Sequence, residues 1–475
     1  MQTLPERLII TKHLKPQGYY GVNAMGKKDV NMLSGSILKG LLAISIPVMI
    51  MNVVQSLFNI MDMTILKTYD SGGGTAVGAV GVCGTLITLI TGLVIGVSTG
   101  ANVVIAKNIG KQDQDAVDRA TGSAMAFSIV AGLFLAVVGV SCAELFLRWT
   151  NCPEDLLSQA TLYFRLYFAG VPILMVYNFC ASILRSTGDS RRPMLYLTTA
   201  GIVKVVLTFL FTAKFNLGVL GVACSTPLSW CISAFLGLRA LFRNSGMVKL
   251  RLQYIRFYKP ELSAILRIGV PAGLQQGLYS IANVIISATV NSFGSAATTG
   301  ISIANNYDGI LYQICTATAL AVMPYVSQNI GNRNIKRAMR SVGTGILITV
   351  CLGASFGALS ALFSRQLASI MSSDPAVIAY ARQKMIIISS TYFICGINEI
   401  IGAALRGMGR PTAATVATLI FMCAIRFVWV YLIFPLLPNL TFLYLIWPIG
   451  WILSITTLLF VFFPTAKKLG QTAAA

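Results

Sequence analysis

One histidine, His13, is all the imidazole in this chain, so neither a histidine-based metal centre nor a Ser-His-Asp triad can be assembled from it. Its ten cysteines include no C-x-x-C pair and stand mostly inside apolar runs, where they act as small packing residues. Cys142 and Cys152 face one outer connection, but no bridge between them is expected. Charge is also scarce. Asp, Glu, Lys and Arg together make up 11% of the chain, and only 15 residues are acidic. A globule of 475 residues that is 56% hydrophobic, with mean hydropathy +0.75, has too little polar surface to cover itself in water. These absences exclude a soluble enzyme and leave an all-α polytopic membrane protein, with no metal and no cofactor expected.

Apolar runs long enough to cross a bilayer, roughly 20 residues each, occur at 40–66, 76–105, 119–147, 155–184, 193–213, 218–242, 261–290, 297–327, 341–364, 376–405, 412–434 and 440–466. Twelve spans are therefore expected. The formal charge of +21 does not point to nucleic acid, because the basic residues gather in alternate connections. One set holds Lys107, Lys111 and Arg119; the others hold Arg185, Arg191 and Arg192; Arg333, Lys336, Arg337 and Arg340; and Arg406 and Arg410. That bias places these loops and both termini in the cytoplasm.

The chain repeats itself. Asn108-Ile109-Gly110 and Arg119 recur as Asn329-Ile330-Gly331 and Arg340, and Leu184-Arg185 with Gly188 recurs as Leu405-Arg406 with Gly409, 221 positions on (329−108 = 221). Pro47 and Asn59 recur as Pro271 and Asn283, 224 positions on, as expected if the first copy gained three residues in the Asp70-Ser71-Gly72-Gly73-Gly74 loop. Two copies with an even number of spans share one orientation, so their pseudo-twofold axis follows the membrane normal. The expected organisation is an extension at 1–39, a first lobe at 40–242, a cytoplasmic linker at 243–260, a second lobe at 261–466 and a tail at 467–475. The linker alternates basic and aromatic residues, a pattern suited to the anionic inner leaflet.

Ionisable groups inside apolar spans cost ~2.5–3.5 kcal/mol each on insertion scales and mark a pathway, a relay or an internal pair. Asp62, Asp308 and Glu399 are such acids, and Lys204 and Arg426 are such bases. The two bases occupy near-equivalent places in the fifth and eleventh spans, about 18 and 22 Å along their helices, beyond comfortable snorkelling reach. Buried cations need partners. Asp62 is the obvious one for Lys204; for Arg426 the choice lies between Asp308, which matches it in depth, and Glu399.

Uncharged polar residues surround these groups: Gln55 and Asn59 on the first span, Asn178 on the fourth, Gln275, Tyr279 and Asn283 on the seventh, Asn305 on the eighth and Asn398 on the tenth. Positions 52, 55, 59 and 62 share one helix face, which should look into the bundle rather than at lipid.

In the order and spacing of these features the chain resembles the multidrug and toxic compound extrusion (MATE) transporters of bacteria, over about residues 35–466. The likeness rests on Pro47 with Asn59 and Asp62, on the two Asn-Ile-Gly turns, and on Leu184-Arg185-Ser186-Thr187-Gly188-Asp189 echoed by Leu405-Arg406-Gly407-Met408-Gly409-Arg410-Pro411. It implies two six-helix lobes in a V, alternating access and export driven by proton or sodium entry across a bacterial plasma membrane. It also implies a cation site on Asp62 and the fifth helix. There the family often carries Asn and, four residues later, Asp or Asn; this chain has Lys204 and Thr208. A fixed ammonium repels sodium, so proton is the favoured coupling ion.

The expected cation-coupling set is Asp62, Lys204, Asn59, Asn178 and Thr208. The expected substrate set is Gln55, Gln275, Tyr279, Asn283, Asn305, Asp308, Asn398, Glu399 and Arg426. The partners expected are a small organic molecule, a proton or sodium ion and the bilayer, with the chain acting as a monomer. A lipid or lipid-linked oligosaccharide flippase and an exporter of anionic metabolites are the alternatives, the latter suggested by Lys204, Arg426, Arg165, Arg382 and Lys384.

Overall fold

The computed structural model describes residues 30–69, 75–150 and 152–474. His13, most of the expected extension and the loop at 70–74 lie outside the described residues. The apolar runs fold into twelve long helices: α1 Ile37–Tyr69, α2 Thr75–Gly110, α3 Gln114–Ser141, α4 Glu154–Ser186, α5 Arg191–Lys214, α6 Val219–Phe242, α7 Lys259–Asn291, α8 Ser295–Gly331, α9 Ile335–Leu362, α10 Pro375–Gly407, α11 Pro411–Leu436 and α12 Ile446–Ala474. Eleven of the described helical stretches meet the length and hydropathy a span requires, and α7 adds a further helix of 33 residues. Their outward faces carry the side chains lipid accepts, such as Phe134 at 65% and Phe460 at 77% exposure. None of the ten cysteines is bridged, Cys142 and Cys152 included.

Helices α1–α6 (the N-lobe) and α7–α12 (the C-lobe) repeat one plan. The connection after α2 turns on Gln112 at φ 58°, and the one after α8 turns on Arg333 at φ 56°. Asp113 then caps α3 by accepting from Ala116 N at 3.0 Å, as Asn334 caps α9 by accepting from Arg337 N at 3.0 Å. Gly188 and Gly409, at φ 93° and 78°, end α4 and α10 in the left-handed region that side chains resist. Each of these pairs is separated by the repeat length. The helix ends expected from apolar length alone are short at α9, which begins at Ile335, and at α8, which runs on to Gly331, because capping residues extend helices into polar sequence.

The lobes meet along α2, which packs against α7 and α8, and along α1 against α8. Glycine permits the contact: a Cβ on Gly96 would lie 2.3 Å from Gly273 Cα, and one on Gly100 would lie 2.1 Å from Ile265 O. At the end of the bundle carrying the basic loops the seal is tightest. Gly110 meets Gln328 O, Gly331 meets Lys107 O, and Gln328 Nε2 donates to Ser186 O at 2.6 Å. Arg337 closes the same end by gripping the chain ahead of α1, donating from Nε to Met32 O (2.9 Å), from Nη1 to Gly35 O (3.0 Å) and from Nη2 to Ser34 O (2.7 Å). Toward the opposite end, Gly81 and Gly84 of α2 face open space. The linker leans on α3, where Arg251 meets Asp118 at 3.0 Å and Tyr258 N donates to Ser123 Oγ at 3.0 Å.

Candidate functional site

Polar cavities open among the described helices, three of them lined by residues of the expected sets. The first, in the N-lobe, holds about 50 Å³ and is lined by Gln55, Asn59, Lys204 and Trp230 among others. Beside it, Lys204 Nζ stands 2.5 Å from Asp62 Oδ2, linking α5 to α1. Asp62 is only 4% exposed, and neither of its oxygens accepts a directed hydrogen bond, so the ammonium is its counter-charge without being well aligned. The sequence-expected residues Asp62, Lys204 and Asn59 are thus brought together. Thr208 and Asn178 are not part of that cluster. Thr208 shares a 2.8 Å hydrogen bond with Ser225 of α6, and Asn178 donates to Leu174 O at 2.9 Å while facing the cleft between the lobes.

The second cavity, about 270 Å³, is that central cleft. Gln55 and Asn178 reach it from one lobe, and Gln275, Glu399 and Arg406 from the other; Arg185, the repeat counterpart of Arg406, lines it as well. Gln275 is held in place, donating to Thr418 Oγ1 at 3.1 Å and accepting from Arg406 Nη1 at 3.4 Å. Asn398, 2% exposed, has an unpartnered Oδ1 buried in the helix packing.

The third cavity, about 310 Å³, lies within the C-lobe between α7, α8, α10 and the start of α12. Tyr279, Asn283, Asn305 and Asp308 of the expected substrate set line it, together with Lys384, Tyr312, Tyr392, Tyr444 and Trp447. Here one expectation is corrected. Arg426 pairs with neither Asp308 nor Glu399. Asp308 Oδ2 is 3.0 Å from Lys384 Nζ, and its Oδ1 accepts from Ser389 Oγ at 3.3 Å. Lys384 also donates to Asn305. Arg426 instead donates from Nη1 to Asn283 Oδ1 at 2.6 Å, and its guanidinium lies 4.9 Å from the Tyr279 ring centre and 5.4 Å from that of Trp447. Depth along a helix suggested Asp308 for Arg426, but azimuth decides contact, and α10 turns Lys384 toward α8.

Lys384 and Trp447 also belong to this cavity, outside the residue set expected from the sequence. Lys384 lies nine residues inside α10, ~14 Å from its start, and Asp308 lies thirteen residues inside α8, ~20 Å from its start at the same end of the bundle. A lysine side chain spans that difference, so the signal was present. Backbone geometry also marks the helices of Lys204 and Arg426: among the described residues, π-helical turns occur at Leu210–Lys214 in α5, and at Leu419–Ala424 and Trp429–Ile433 in α11, flanking Arg426. Such turns re-aim side chains and recur at functional sites.

Twelve long helices in two sets that repeat one plan, meeting through glycines and enclosing polar cavities, define a polytopic membrane transporter rather than an enzyme. The chain belongs to the MATE family, whose MatE model matches it twice, at residues 47–210 and 271–432. Among its relatives is the "Probable multidrug resistance protein YpnP" of Bacillus subtilis (strain 168), 27% identical over 401 residues that cover 84% of this chain and 89% of that one. Another is the "FAD transporter" of Shewanella oneidensis, 24% identical over 82% of this chain and 86% of that one. The fold matches that of the "Outward-facing conformation of a multidrug resistance MATE family transporter of the MOP superfamily", with a TM-score of 0.85 and 22% identity across 94% of this chain and all of the other.

Proposed function

We propose that this protein exports amphipathic organic compounds by antiport, with proton rather than sodium as the coupling ion. The observation that carries the coupling is the Asp62–Lys204 contact, 2.5 Å long and 4% exposed at the carboxylate. Sodium requires several oxygen ligands and no adjacent cation, whereas Lys204 fills the carboxylate's near side with positive charge. A proton needs only one carboxylate oxygen, and separating the pair by helix bending would make Asp62 able to take it up.

The positive-inside bias supports a cytoplasmic location for the basic end, termini included. With that end sealed by Arg337, Gln328 and the glycine contacts, the arrangement corresponds to the outward-facing stage of alternating access. Reconstituted vesicles should accumulate a fluorescent organic substrate under an imposed proton gradient and not under a sodium gradient. Transport that follows sodium alone at zero proton gradient refutes proton coupling.

A second reading, export of an anionic compound, is favoured by one feature. Arg426 is 2% exposed and, among the described residues, has no carboxylate partner. The relative named as an FAD transporter supports this reading too.

A further inference from the structure

The repeat makes the Arg426 environment informative. Asn59 and Asn283 are counterparts, so the position matching Asp62 in the second copy is Ile286 (286−62 = 224). In the N-lobe the buried cation has its acid; in the C-lobe Arg426 has a neutral amide and two ring faces, and Ile286 lines the cavity where the acid would be. Lys384 and Asp308 cancel each other. Arg426 stands directly behind the cavity wall, against the lining residues Asn283, Tyr279 and Trp447, so the groups in and immediately behind the wall of the C-lobe cavity carry one positive charge more than Asp308 neutralises. Glu399 does not restore the balance: it lies on the other side of Tyr279 and Tyr312, in a neighbouring pocket with Gln275 and Gln276, and faces the central cleft together with Arg406, whose charge offsets its own.

The remaining walls are largely aromatic. Tyr279 and Tyr312 lie nearly parallel, 12° apart with centres 6.4 Å from one another, and Trp447 backs both cations, 5.7 Å from Lys384 Nζ and 5.4 Å from the Arg426 guanidinium. Tyr444, completely buried, brings a hydroxyl without a hydrogen-bond partner to the same cavity. An unpaired buried cation is costly, and an incoming anion removes that cost where a neutral or cationic molecule does not.

We propose that the C-lobe cavity is a binding site for aromatic monoanions, with the ring held among Tyr279, Tyr312 and Trp447 and the negative group supplying the counter-charge that Ile286 does not. This rests on the reading of the chain as an exporter and names a substrate class for it.

The test is equilibrium binding, with no gradient imposed, to the full chain in lipid nanodiscs, using empty nanodiscs as reference. The probes are three ligands of one shape: 2-naphthoate, 2-naphthamide and 2-naphthylmethylammonium. The carboxylate should bind about tenfold more tightly than the amide, and the ammonium more weakly than either. Ile286→Asp and Arg426→Gln should each bring the carboxylate-to-amide ratio to within about twofold, while Asp308→Asn should raise it about tenfold. Two of these variants act by opposite substitutions, so a folding defect in one leaves the other as the test, and size-exclusion profiles report which is intact. Equal affinities for carboxylate and amide in the unaltered protein, or tighter binding of the ammonium, overturn the proposal. Failure of naphthoate binding in protein that still exports a cationic dye under a proton gradient refutes the site and leaves the exporter reading standing; binding without coupled export does the reverse.

Discussion

Arg426 donates a 2.6 Å hydrogen bond to Asn283, and this bond is the C-lobe's substitute for an ion pair. Lys204, at the near-equivalent place in the first lobe (426−204 = 222), has Asp62 at 2.5 Å; the residue matching Asp62 in the second lobe is Ile286. The C-lobe's own ion pair, Asp308 with Lys384, has no counterpart either, since the matching N-lobe residues are Ile87 and Tyr163 (308−87 = 384−163 = 221). Duplication supplied the scaffold twice, and each lobe then acquired different chemistry.

The Asp62–Lys204 contact makes the two residues energetically interdependent. Asp62→Asn leaves a buried ammonium unpaired and should cost about 3 kcal/mol or more of unfolding free energy. Asp62→Asn combined with Lys204→Met should cost less than the single change, because no unpaired charge remains. Thermal unfolding of the purified proteins in detergent measures the cycle, and strictly additive losses would show that the two groups do not interact.

In the C-lobe the same logic applies to Lys384. Lys384→Met should destabilise the protein by about 3 kcal/mol, and adding Asp308→Asn should recover most of that loss. Arg426→Gln combined with Asp308→Asn should show no such recovery, since those residues are not partners. A recovery there would restore the pairing expected from depth alone.

Arg337 holds the chain ahead of α1 by three backbone carbonyls, each a charge-assisted bond. Met32, wholly buried under this clasp, is the reporter. In a cysteine-free background, Met32→Cys should resist a water-soluble maleimide, and adding Arg337→Ala should accelerate labelling about tenfold or more. Equal rates would mean that Arg337 does not secure the basic end.

Glycine contacts between the lobes leave no room for side chains. Gly100→Val would place a branched side chain against Ile265 O and the Gly269 backbone, forcing α2 away from α7. Transport should fall to background while the protein stays in the membrane fraction, and spin labels across the seal should report a longer distance. Wild-type transport by this variant would show that the lobe contact tolerates separation.

Ser245, exposed in the linker, tests orientation. Ser245→Cys should label from the cytoplasmic side of intact cells' membranes and be silent to an impermeant reagent added outside. Labelling from outside would invert the topology and with it the assignment of the sealed end.

Much of this protein was written locally. Twelve apolar runs became twelve long helices because a backbone deprived of water must bond within its own segment, so length and hydropathy suffice. The paired turns were legible for a similar reason: Gly188 and Gly409, and the caps Asp113 and Asn334, act within a few residues of sequence. The Asp62–Lys204 contact was within reach because Asp62 was the obvious buried acid for Lys204 in its lobe. Where several acids and bases shared a lobe, sequence reading stopped short. Depth along a helix can be counted at 1.5 Å per residue, but the rotation and tilt that aim a side chain come from packing against neighbours. That packing gave Asp308 to Lys384, set Arg426 between Tyr279 and Trp447, turned Thr208 to Ser225, and so decided which charges in the membrane are answered by a counter-charge.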